Sequence, residues 1–150
     1  MSGLETILEN REALRPFFVG WPSFHDAEVV EINLWRGHLY PGEWDDRNSV
    51  PVVTIKFRLL EATQPGATGS GNDILVTIRF HNADSISIPS FTDLVLITDF
   101  LVTPQSRGTY TSGEPLPPYY SIALICGNRT SASFRCLRIE IVDAAKYVAP

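Results

Sequence analysis

Cysteine, histidine and lysine are all scarce in this chain of 150 residues, and each shortage closes off a class of protein. Two cysteines, Cys126 and Cys136, cannot build the disulfide framework on which small secreted domains rely. The only histidines are His25, His38 and His81, with no His-x-x-x-His spacing, and the cysteines lack Cys-x-x-Cys spacing. No metal site and no cofactor are therefore expected. Lys56 and Lys146 are the only lysines, and the arginines are scattered singly apart from Arg135 and Arg138. The concentrated basic face that neutralises phosphates is missing, so nucleic acid is not an expected partner. No run approaches the ~20 apolar residues that span a bilayer, so no membrane is expected either. The first fifteen residues carry Glu5, Glu9, Arg11, Glu12 and Arg15, and no apolar stretch of signal-peptide length follows. The expected compartment is the cytoplasm.

What the chain does have is apolar bulk. An apolar share of 44% against a charged share of 19% excludes intrinsic disorder, which needs the opposite balance. The length suits a single domain over 1–150, with enough apolar and aromatic residues for one core. The net charge of −5, from 17 acidic and 12 basic residues, suits a basic protein partner and equally suits simple solubility.

Hydrophobic periodicity points to an α+β fold. Ser2 and Glu5 have capping-box spacing, Leu4, Ile7, Leu8 and Leu14 recur at helical period, and Pro16 disfavours helical geometry at Arg15. A short helix over about 3–15 is expected, docked on a β-rich remainder over 27–142. There the period changes to two: Val30, Ile32 and Leu34; Val53, Ile55, Phe57 and Leu59; Ile74, Val76, Ile78 and Phe80. Ile86 and Ile88 form a short piece, and Leu94–Val102 reads as a run buried on both faces. Tyr119–Cys126 and Ser131–Val142 flank Gly127-Asn128-Arg129-Thr130, a hairpin connection. In its second arm the apolar phase slips between Cys136 and Leu137, which a β-bulge near Cys136 would absorb; the alternative is that both faces are partly covered there. In that hairpin Cys126 faces Arg129 or Thr130, so the two cysteines do not bridge. The sum is a mainly antiparallel sheet of about six or seven strands. Ala62–Asn72 and Thr103–Pro118 read as loops; GATGSG, within the first, lies between strands and does not cradle phosphate.

Two local clusters could carry function. In Trp21-Pro22-Ser23-Phe24-His25-Asp26, a serine, a histidine and an aspartate fall within four residues. Successive side chains of an extended chain point to opposite faces, so His25 and Asp26 cannot easily orient one another, and no catalytic residue is assigned. Trp21, Pro22, Phe24, His25 and Asp26 read instead as fold-making: the aromatics seal a core edge and the polar pair bonds loop backbone. The competing reading is a small hydrolase or metal-dependent enzyme using His25 and Asp26. The second cluster is Glu43, Trp44, Asp45 and Asp46, where acidic groups around a tryptophan could dock on a basic partner. Its bland reading is an acidic hairpin tip.

Through WPSFHDAEVVEINLWR, VTIRFHNADSISIPSF and YYSIALICGNRTSASFRCLRIEIV, the chain resembles the immunity protein 50 family, thought to protect bacteria against polymorphic toxins. The resemblance implies a stoichiometric binder without turnover, which occludes a cognate toxin; the acidic balance suits a basic one. Trp21, Pro22, Phe24, His25 and Asp26 are the motif positions it covers. A homo-oligomer joined through strand edges is a third reading.

Overall fold

A computed structural model of the protein describes residues 7–36, 51–66 and 71–149. The alternating runs form β1 (Leu8–Glu9), β2 (Glu28–Arg36), β3 (Pro51–Leu59), β4 (Ile74–His81) and β5 (Asp84–Ser87). β6 (Asp99–Gln105), β7 (Tyr119–Cys126), β8 (Arg129–Cys136) and β9 (Arg138–Lys146) follow. They make two sheets, ordered β1-β9-β4-β3-β2 and β5-β8-β7-β6, and every pairing is antiparallel except β1 with β9. The cysteines are free, with Cys126 opposite Arg129. Among the described residues, no helix is long and apolar enough to cross a membrane.

The sheets pack face to face, because each strand has one apolar face to bury. Val53, Ile55, Phe57 and Leu59 of β3 and Val76, Ile78 and Phe80 of β4 are wholly buried. Phe80 meets Phe134 of β8 edge-on at 4.9 Å between centroids, and Phe57 meets Phe100 of β6 at 5.4 Å. These ring pairs cross from one sheet to the other and define the core.

The α+β expectation is overturned: this is an all-β sandwich of two sheets, in which Ile7 is the one α-helical position among the described residues. In the described part of 3–15, Leu8 and Glu9 pair with Ile139 and Glu140, and Arg11–Leu14 makes a single 3-10 turn. Asn10 between them is left-handed, with φ 61°, and its side-chain amide donates to the Ile141 carbonyl at 2.8 Å. A twelve-residue helix is marginal alone, and pairing on β9 buries Leu8 and satisfies its backbone together.

The phase slip after Cys136 has a different cause from the expected bulge. The β4–β9 ladder ends at His81↔Arg138, and the β5–β8 ladder begins in the same register at Asp84↔Arg135. One long antiparallel ribbon therefore bends at residues 82–83 and 137 and belongs to both sheets. Cys136 and Ile139, of opposite parity, reach the same core because the chain turns the corner between them. Left-handed Asn82 (φ 57°), the Leu137 N–H on the His81 carbonyl at 2.9 Å and the two-pronged Arg135–Asp84 pair hold that corner.

The segment expected to be apolar on both faces, Leu94–Val102, is also corrected. It splits into a 3-10 turn, Phe91–Val95, and β6; Leu94, Ile97, Phe100 and Val102 are buried, whereas Val95, Leu96 and Leu101 are exposed. In β2 a bulge at Val30 puts Val29 into the core, so Val30 does not share a face with Ile32 and Leu34. The Thr103–Pro118 loop loses its first three residues to β6. The rest is cinched by a Thr109↔Pro115 bridge and by the Arg107 guanidinium 4.9 Å from the Tyr119 ring centroid.

Candidate functional site

Trp21–Asp26 closes one end of the sandwich, where the chain enters β2. Phe24 is buried between Phe57 and Phe100, at 5.3 and 5.1 Å, with partly buried Trp21 at 6.0 Å from it. Pro22 is buried beside them. The Ala27 N–H returns to the Phe24 carbonyl at 3.1 Å, a tight turn that places Asp26 at φ 63°, a conformation aspartate tolerates. The Asp26 N–H then donates to the Ile97 carbonyl at 2.7 Å, and Ala27 bridges to Ile97, linking β2 to the segment that leads into β6.

The polar side chains do not assemble a triad. The Ser23 hydroxyl accepts the His25 backbone N–H at 3.2 Å, and ring nitrogen Nδ1 of His25 lies 3.2 Å from the Thr98 carbonyl. For that contact to be a hydrogen bond, Nδ1 carries a proton and donates to the carbonyl. Nε2 lies 3.8 Å from the nearer Asp26 carboxylate oxygen, beyond hydrogen-bond reach. The His25 side chain is 59% exposed, so it has room to move and little packing to hold it. His25 lines an open crevice of about 300 Å³ with Trp21, Phe24, Pro65, Asp99 and Phe100.

A residue that the sequence did not mark fastens this segment. Gln64, beyond the 3-10 turn Glu61–Thr63, accepts the Ser23 N–H at 2.8 Å and donates to the Ser23 carbonyl at 2.8 Å. It also donates to the Leu60 carbonyl at 3.1 Å, so one amide acts as a strand partner for Ser23. No signal in ATQPGATGSGN distinguishes this glutamine. Gln64→Ala strips Ser23 of both partners, and urea unfolding should show a loss of about 1–3 kcal/mol. A loss within ±0.5 kcal/mol, usual for an uninvolved surface site, would remove Gln64 from that role.

Glu43, Trp44, Asp45 and Asp46 lie outside the described residues, as does His38. Among the described residues, no three His, Cys, Asp or Glu side chains group closely enough to hold a metal ion.

A surface that sequence reading missed lies just before β6. Phe91, Val95 and Leu96 are each about half exposed while Leu94 is buried, and Asp93 and Asp99 of the same stretch are exposed too. The stretch FTDLVLITD has neither strand nor helix period, so its apolar residues gave no clue which of them face water.

The fold defines a class, an all-β two-sheet sandwich, with exposed apolar side chains in the stretch that leads into β6. Set beside known proteins, the chain matches no family model, no curated protein and no solved structure.

Proposed function

We propose that this chain is a stoichiometric binding protein of the bacterial cytoplasm, an immunity protein that occludes a cognate basic toxin and turns nothing over. The observation that carries the reading is the half-exposed apolar side chains Phe91, Val95 and Leu96, in a stretch that also exposes Asp93 and Asp99. Apolar side chains in half-exposed positions gain most from a partner that covers them, and these carboxylates steer a basic surface onto them. The resemblance of WPSFHDAE and the later strand pattern to the immunity protein 50 family supplies the class of partner.

Co-expression with the product of an adjacent toxin-like gene tests this. The expected result is a one-to-one complex in which the toxin is inactive. Leu96→Glu should weaken it about 10- to 100-fold, within the range of an interface anchor. Failure to form a complex, or a complex indifferent to Leu96→Glu, would overturn the reading.

A further inference from the structure

Four strands end the two sheets, and three of them are blunted. β1 is two residues long. β5 is four residues long, with left-handed Ser85 (φ 53°) and a broken register. β6 contains Pro104, which has no N–H to offer. Short edges, irregular edges and edge prolines are the means by which sheets avoid pairing with other chains. β2 is the least blunted, its one irregularity, the bulge at Val30, lying near its start and leaving 31–36 regular. It is nine residues long, with no proline and no lysine, and among the described residues β3 is its only strand partner.

We propose that β2 pairs antiparallel with β2 of a second copy of this chain, joining two five-stranded sheets across a twofold axis. Side chains that face each other in such a pair must lie on the same side of the sheet, so the axis passes through one residue of the strand. The bulge at Val30 confines regular pairing to 31–36. An axis at Ile32 opposes the bulge itself, and one at Leu34 opposes Ile32 to Arg36. An axis at Asn33 uses 31–35 alone. It sets Ile32 against Leu34 twice, Glu31 against Trp35 twice, and Asn33 against itself, with no like charges facing.

The exposure of β2 fits that register. Ile32 and Leu34 follow the inward phase, opposite buried Ile55 and Val53, yet Leu34 is 58% exposed, lining an open crevice with Asp84 and Ile86 of the second sheet. Trp35, on the other face, is 48% exposed. In the dimer each Leu34 is covered by Ile32 of the other copy, and each Trp35 lies along Glu31. Dimerisation needs no toxin, so its failure and the failure of the immunity reading are separate results.

Sedimentation equilibrium of the full chain over a range of concentrations tests the proposal. The wild type is expected to be a dimer, and Leu34→Lys to raise its dissociation constant about 100-fold, two leucines per dimer losing their cover. Leu34 is exposed in the monomer, so the melting temperature extrapolated to low concentration should not change. Val19→Lys, at a site 97% exposed, should leave the dimer intact. Asn33→Cys in a Cys126→Ala background should cross-link on oxidation, because facing Cα atoms in an antiparallel pair lie within disulfide range. A monomeric wild type, a dimer indifferent to Leu34→Lys, or no cross-link through residue 33 would each overturn the proposal.

Discussion

Phe100→Ala is expected to cost about 3–5 kcal/mol in urea unfolding, and to lower the melting temperature on the order of 10 °C. Phe100 is the ring at which the two sheets and the closing segment meet: it lies 5.1 Å from Phe24, 5.4 Å from Phe57 and 6.1 Å from Phe80. Its removal opens a cavity whose walls belong to β3, β4 and the turn before β2, elements tied into separate backbone ladders. Such walls cannot collapse together without breaking strand pairing, so the penalty belongs at the upper part of the large-to-small range. Phe91→Ala supplies the contrast, since that ring is half exposed and should cost under about 1 kcal/mol. Equal losses at the two positions would mean that the sheets do not pack through Phe100.

Where one strand face meets the core and the other meets water, the pattern of side chains was legible. The runs at Val53–Leu59, Ile74–His81 and Tyr119–Cys126 coincide with β3, β4 and β7. The failures share a cause, which is that tertiary partners decide what local periodicity cannot. Leu8 and Leu14 suit a helical stripe equally well, but β9 offers the backbone of Leu8 and Glu9 a ladder edge, and Leu14 falls in the 3-10 turn that follows. The slip at Cys136 looks the same whether a bulge or a sheet-switching corner causes it; only the matching bend after His81, over fifty residues away, distinguishes them. That corner also turns one expected sheet into two.

The candidate site was legible in the same partial way. Phe24 and Trp21 pack at the core edge, and the Nδ1 of His25 reaches a loop carbonyl. The reach of His25 towards Asp26 stops at 3.8 Å. Gln64 escaped because an amide that binds backbone leaves no trace in composition. The strip at Phe91–Leu96 escaped because a 3-10 turn puts adjacent apolar residues on opposite sides of a boundary that no period marks.

The corner that hid in the sequence should be visible in alkali. Cys136 is fully buried where the ribbon bends, beside buried Ala83, and burial pushes its thiol from an ordinary 9.0 up to about 12. Burial disfavours the thiolate, so between those values the folded protein holds a proton that the unfolded chain has released. Stability is therefore undiminished by this group below pH 9 and falls as pH climbs towards 12, by up to about 1.4 kcal/mol per pH unit. Other groups titrate in the same window, so the quantity to measure is the difference between the wild type and Cys136→Ala in denaturant unfolding at successive pH values. The variant is expected to start less stable and to lose stability more slowly, so the gap narrows above pH 9. A gap independent of pH would mean that the Cys136 thiolate is solvated in the fold. A thiol-labelling experiment reads the same environment directly: partly exposed Cys126 should react in the native protein, and Cys136 only at the rate of unfolding. Rapid native labelling of both would place Cys136 outside the core and remove the bent ribbon that puts it there.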